Sequence, residues 1–64
     1  KNTIYEFNGD FWHGNPDLYN ENDINNVLNK TFGELYKKTK KREKYLIKKG
    51  YKIISIWEND FNNF

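Results

Sequence analysis

The run from Phe32 to Lys49 constrains this chain more than any other stretch, because it contains no proline and carries a start signal and a stop signal at its ends. Thr31-Phe32-Gly33-Glu34 is a capping box, in which the threonine hydroxyl accepts from the glutamate amide and the glutamate carboxylate reaches back. Gly50 supplies the C-terminal stop, and Lys48 and Lys49 suit the negative end of the helix dipole. The spacing predicts a long helix over 32–49. The segments flanking it have a different character. Thr3–Asn8 is β-branched and aromatic and is stopped by Gly9, which reads as a strand over 3–8 with Ile4, Glu6 and Asn8 on one face and Tyr5 and Phe7 on the other. Tyr51–Trp57 is a near-continuous apolar strand over 51–57, the pattern of an interior position covered on both faces. Strand, long helix, strand is a βαβ unit, so the two strands should lie parallel with a right-handed crossover.

Between the first strand and the helix, Gly9, Gly14 and Pro16 break regular structure, and 9–22 reads as a loop. Asp23 can cap a short helix over 24–29, with Ile24, Val27 and Leu28 at helical spacing. The tail Glu58–Phe64 reads as a turn that packs Phe61 back on the body. The whole of 1–64 is one small domain or part of one, and at 64 residues it buries only about 60% of its unfolded surface. Only 36% of the residues are hydrophobic, so the aromatics, at 19%, must supply most of the burial. No cysteine is present, which excludes disulfides, and a single histidine without cysteine excludes a structural zinc site. No apolar run approaches the ~18 residues of a membrane span, and no secretory signal pattern stands at the start. No membrane partner and an intracellular location, cytoplasmic or nuclear, are therefore expected. Asn29-Lys30-Thr31 matches a glycosylation sequon, but the helix cap accounts for Thr31.

The apolar stripe of the helix runs through Phe32, Leu35 and Tyr36 and resumes at Tyr45, Leu46 and Ile47. Thr39, Arg42 and Glu43 interrupt it. Polar groups in a core-facing stripe are costly unless they have partners or line a site, or else they sit at its edge and reach water. Charge is also uneven. Residues 1–30 carry a net −3 and residues 31–64 a net +5, within a total of +2. Eight of the eleven basic residues fall between Lys37 and Lys49. Such a cluster is either the solvated face of a helix or a surface for an anionic partner, most simply nucleic-acid phosphate.

Tyr5-Glu6-Phe7-Asn8-Gly9-Asp10-Phe11-Trp12-His13-Gly14 is where chemistry would reside. Metal-assisted phosphodiester hydrolysis needs hard oxygen ligands, a group to orient or deprotonate water, and positive charge near the phosphorane. Glu6, Asp10, His13 and a basic helix residue are the right kinds of group. The plainer alternatives are an ion pair between Glu6 and a helix lysine, and an ordinary loop histidine. Phe11 and Trp12 are either core plugs or rings that stack on, or wedge between, bases.

Taken together, Phe11-Trp12-His13 after a Gly-X step, Arg42-Glu43 on the helix, and Gly50 through Trp57-Glu58 resemble the very-short-patch repair (Vsr-type) mismatch endonucleases. Those enzymes belong to the PD-(D/E)XK restriction-endonuclease-like superfamily. The likeness spans roughly residues 4–61 and also extends to nuclease-like domains of large DNA viruses and mobile elements. It implies an α/β fold, the βαβ half of a restriction-endonuclease-like mixed sheet, and metal-dependent cleavage of DNA. It implies that Glu6 and the Phe7 backbone carbonyl ligate Mg²⁺, that Asn8 stands at the lysine position, and that His13 serves as base or water-positioner. Asn can orient a water but cannot supply positive charge. Phe11 and Trp12 resemble the intercalating aromatics, and Lys38, Lys41 and Arg42 of the basic run become candidates for DNA contact. Asp10 has no required counterpart. The first acidic ligand of that family lies on a strand upstream of the one corresponding to 3–8. The resemblance therefore implies an incomplete metal site: a piece whose N-terminal half lies elsewhere in the same protein, a homo-oligomer that completes the sheet, or a non-catalytic nucleic-acid-binding or self-associating remnant. Exposed strand edges make self-association the expected physical outcome.

Overall fold

The computed structural model describes residues 2–62 and is mixed α/β. The Lys1 end and the last two residues of the expected tail lie outside the described residues. Strand β1 (Thr3–Asn8) pairs in parallel with β4 (Lys52–Trp57), in register from Thr3 opposite Lys52 to Asn8 opposite Trp57. Helix α2 (Phe32–Lys48) is the longest element of the connection between them. The expected strand–helix–strand order is present, with parallel strands.

Both ends of α2 follow from local sequence. The Glu34 amide donates to Thr31 Oγ1 at 3.1 Å, and the Thr31 amide donates to Glu34 Oε1 at 2.9 Å, closing the capping box. The helix ends one residue earlier than the pattern predicts, with Lys49 as C-cap. Gly50, at φ 100°, donates to the Ile47 carbonyl and Tyr51 donates to that of Leu46. This paired closure puts its C′ residue in the left-handed region, which favours glycine.

The intervening segment differs from expectation in two places. Within 9–22, Asp10–His13 winds into a single helical turn, α1, where only loop is expected. Residues 24–29 form no helix. Ile24–Asn25 (β2) pairs antiparallel with Lys30–Thr31 (β3) around a turn. The physical reason is Asn25, whose side-chain oxygen accepts from the amides of Val27 and Leu28 at 2.9 and 3.0 Å. Those bonds, with the Asn29 amide donating to the Asn25 carbonyl at 2.7 Å, close a single turn that does not continue as a helix. Asn29 completes the turn in the left-handed region at φ 57°. Asp23 caps nothing; its carbonyl accepts from the Phe32 amide instead.

The tail forms a short helix, α3 (Glu58–Asn62), and Phe61 does return to the body, its ring edge-on to Phe7 at 5.6 Å. The two-stranded sheet is covered unequally. Alternation along β1 places Ile4, Glu6 and Asn8 toward α2, and Trp57 of β4 stacks with Tyr36 of that helix at 6.3 Å. Tyr5, Phe7 and Ile54 are exposed on the other face, and Tyr5 keeps 76% of its surface accessible. The expectation that 51–57 is covered on both faces is thus not met. Its apolar composition reflects a sheet with a helix layered on one side and only α3 near the other.

Only Phe32 and Leu35 are buried hydrophobic residues among those described, and much of the remaining interior is polar: Asn8, Asp10, Asn15, Asn25, Thr39 and Glu43. Hydrogen bonds are therefore central to holding this fold. The capping box offers the first test. Thr31→Ala should lower unfolding stability by about 1 kcal/mol in urea titrations near neutral pH. The Thr31 amide and hydroxyl, followed by the charges of Lys30 and Lys37, hold the Glu34 carboxyl below its ordinary value. A carboxyl depressed on folding stabilises above its unfolded pKa, and that contribution disappears as pH falls through the lowered value. The stability gap between the native chain and Glu34→Gln should accordingly shrink on acidification.

Candidate functional site

One cleft, of about 390 Å³, opens between the end of β1, the α1 turn and the middle of α2. Glu6, Asn8, Trp12, His13, Lys38 and Arg42 line it, with Leu35 and Thr39 on the helix side. These residues come from separate parts of the chain, and the fold brings them to one place. The β1 alternation turns Glu6 and Asn8 toward α2. Helical periodicity puts Leu35, Lys38, Thr39 and Arg42 on the facing side of that helix.

Glu6 is the only acid among the cleft-lining residues, and it is ion-paired. Its partner is Arg42 rather than a lysine. The Glu6 side chain is 11% exposed while that of Arg42 is 62% exposed, so the guanidinium bridges a nearly buried carboxylate to the solvent. Asn8 is buried. Phe7 contributes to the cleft wall, although its ring lies on the opposite face against Phe61. His13 ends α1, and its Nδ1 stands 3.0 Å from Thr39 Oγ1. Trp12, 51% exposed, presents a broad ring at the cleft mouth.

Phe11, Lys41 and Asp10 fall elsewhere. The Phe11 ring packs edge-on to Phe32 at 5.7 Å and to Tyr19 at 6.1 Å, while Tyr19 and Phe32 stack at 4.2 Å. Phe11 is therefore the core plug of the adjacent pair, and Trp12 is the ring left accessible. Lys41 is exposed but does not line the cleft, because its helical position points about 100° away from that of Arg42. Asp10 is buried away from the cleft, where its Oδ1 accepts from Asn15 Nδ2 at 2.9 Å and its amide donates to Glu58 Oε1 at 3.3 Å. Its role is architectural.

The polar interruption of the α2 stripe resolves into three different situations. Thr39 is buried and doubly bonded, to His13 and to the Leu35 carbonyl. Arg42 reaches across to Glu6. Glu43 is buried, with Oε1 on Lys40 at 3.3 Å and Oε2 without a hydrogen-bond partner.

Three residues hold the Trp12–His13 turn in place. Gly14, at φ 68°, follows His13, and a Cβ there would collide with the Phe32 carbonyl and approach the Tyr36 amide to 3.2 Å. Only glycine permits this closeness between α1 and α2. Asn25 is fully buried, and its Nδ2 donates to the Phe11 carbonyl at 3.0 Å, tying the β2–β3 turn to α1. Asn15, also buried, closes the far side by its bond to Asp10 and by accepting from the Asp17 amide at 3.0 Å. Buried asparagines are unusual enough to flag, but sequence shows them only as two of many asparagines in this chain.

The chemistry open to the cleft follows from its donors. Lys38 and Arg42 offer charge to an anion beside the imidazole of His13, and Trp12 offers a flat apolar surface next to them. A divalent ion fits less well. Among the described residues no group of three or more His, Cys, Asp or Glu side chains could hold a metal. Magnesium is held through one or two carboxylates plus substrate oxygens and waters, and here the one cleft carboxylate is already neutralised by Arg42. Among the described residues no helix is long and apolar enough to cross a membrane. Comparison with family models, with curated proteins and with solved structures finds no match to this chain.

The Glu6–Arg42 pair gives a direct test of how the cleft is held. Arg42→Met leaves a nearly buried carboxylate without its partner and should cost about 1–3 kcal/mol of unfolding stability. Adding Glu6→Gln should restore most of that loss, so the two changes should be non-additive in a double-mutant cycle.

Proposed function

We propose that this chain is the DNA-binding, histidine-bearing part of a metal-dependent endonuclease of the Vsr type, with a restriction-endonuclease-like βαβ core. The observation that carries this reading is the convergence of Glu6, Asn8, Trp12, His13, Lys38 and Arg42 on one cleft. In this reading Lys38 and Arg42 seat a DNA phosphate, Trp12 stacks on or wedges beside a base, and His13 takes a proton from, or positions, the attacking water. Glu6, the Phe7 carbonyl and Asn8 contribute oxygen atoms on the other wall. The described donors fall short of a magnesium site. The hydrolytic reading calls for a second acid from another segment or another copy of the chain.

A second reading is favoured by the engagement of Glu6 with Arg42: a module that binds nucleic acid through the same cleft and does no chemistry. Phosphate affinity and stacking are common to both readings; the requirement for metal separates them.

Fluorescence anisotropy with a labelled DNA duplex tests the shared part. Affinity should fall steeply as salt rises, and Lys38→Ala should weaken binding while reducing the log–log salt slope by about 1. Affinity insensitive to salt, or unchanged by Lys38→Ala, would reject the DNA-binding cleft. Nicking of supercoiled plasmid with and without Mg²⁺, in a full-length context that supplies the second acid, tests the chemistry. Cleavage that requires the metal and is lost in both Glu6→Ala and His13→Ala supports the endonuclease. Salt-dependent binding without any metal-dependent nicking supports the binding module, and cleavage by the two variants undiminished from that of the native protein rejects the assigned roles.

A further inference from the structure

We infer that Thr39 is a positioning residue that holds His13 in the tautomer protonated at Nδ1, leaving the Nε2 lone pair free as the acceptor. Its mechanistic meaning rests on the nuclease reading, but the tautomer itself does not.

The protons available at Thr39 Oγ1 and the His13 ring decide the tautomer. A threonine hydroxyl has one hydrogen to donate and two lone pairs to accept with. Thr39 Oγ1 lies 3.0 Å from the Leu35 carbonyl, one helical turn back, and 3.0 Å from His13 Nδ1. A carbonyl oxygen can only accept, so a hydroxyl that bonds both partners places its hydrogen on Leu35. Oγ1 is then left with lone pairs toward the ring, and the bond to His13 requires a hydrogen on Nδ1. A neutral imidazole carries one such hydrogen, so Nε2 is unprotonated.

Burial makes the arrangement hold. Thr39 is only 8% exposed, so its hydroxyl has little access to water as an alternative partner. Both ends of the bond are anchored: Thr39 by the middle of α2, and His13 by the Gly14 contact with the first turns of the same helix. The side-chain bond to the preceding turn also gives a role to a polar residue in an otherwise apolar stripe. A base that takes a proton from water needs a free lone pair, and a histidine whose other nitrogen is held by a fixed partner presents one without reorganisation.

The single histidine of the chain makes the test unambiguous. Long-range ¹H–¹⁵N correlation spectra of the ¹⁵N-labelled chain, recorded at a pH where the imidazole is neutral, report the hydrogen position directly. The expected result is a pyrrole-type shift at Nδ1 and a pyridine-type shift at Nε2, the reverse of the preference of free histidine in water. Thr39→Ser, which keeps the hydroxyl, should retain that pattern, and Thr39→Val should move it toward protonation at Nε2. A native chain protonated at Nε2 overturns the inference with no variant needed, and so does a folded Thr39→Val variant that keeps the Nδ1 hydrogen. If Thr39→Val does not fold, the native and Thr39→Ser spectra decide. The spectra use neither DNA nor metal. An Nδ1-protonated ring in a chain that neither binds nor cleaves DNA would reject the proposed function and leave this inference standing; cleavage by an Nε2-protonated chain would do the reverse.

Discussion

The close approach of Gly14 to the first turns of α2 is the constraint on which the candidate site depends. A side chain at that position would strike the Phe32 carbonyl, so the short helix carrying Trp12 and His13 can lie against α2 only with glycine next in sequence. The same left-handed glycine ends α1, its amide donating to the Asp10 carbonyl. Thus one residue both stops the turn and sets its distance from the helix that supplies Thr39, Lys38 and Arg42. A helix of a single turn has little intrinsic stability, and tertiary contact must hold it.

That contact is largely polar. A small domain has too little apolar volume to secure every loop by burial. Here the segment between β1 and α2 is fastened by buried amides: Asn25 takes two backbone donors and gives one hydrogen to Phe11, while Asn15 links Asp10 to the next turn. The aromatic stack of Tyr19 on Phe32, with Phe11 across it, adds the apolar component. Specific hydrogen bonds suit a loop that must present particular side chains, because geometry limits them more narrowly than nonpolar contact does. The open face of the sheet shows the converse. Tyr5, Phe7 and Ile54 have good strand propensity and no layer over them, which is why composition alone overstates how deeply β4 lies.

Electrostatics give the cleft a preferred kind of visitor. Its one carboxylate is compensated by Arg42, and the remaining charge on the adjacent helix surface is mostly basic, with Lys38 at the cleft and Lys37, Lys41 and Lys44 exposed along α2. An incoming anion therefore meets attraction, and Arg42 can share its guanidinium between Glu6 and that anion because most of its side chain faces water. The same pairing explains how an acid can sit at the end of β1 in a sheet face covered by a helix.

By itself, the sequence determined the elements whose signals are local. The capping box, the proline-free run and the Gly50 stop mark α2 to within one residue, and β-branched alternation marks β1 and sorts its side chains into two faces correctly. Glu6, Asn8, Trp12 and His13 stand out in the sequence and line one cleft, whereas Asp10, which stands out with them, lies away from it. The hairpin at 24–31, the α1 turn and the separation of Phe11 from Trp12 were decided only in the tertiary structure. Neighbouring rings look alike in sequence, and which of them is enclosed depends on where Tyr19 and Phe32 arrive. Thr39 was visible only as a break in an apolar stripe, because its value lies in a bond to a residue 26 positions away. Local periodicity records what each backbone segment prefers; partners that meet across the fold leave no such repeat, since their relation is set by packing rather than by distance along the chain.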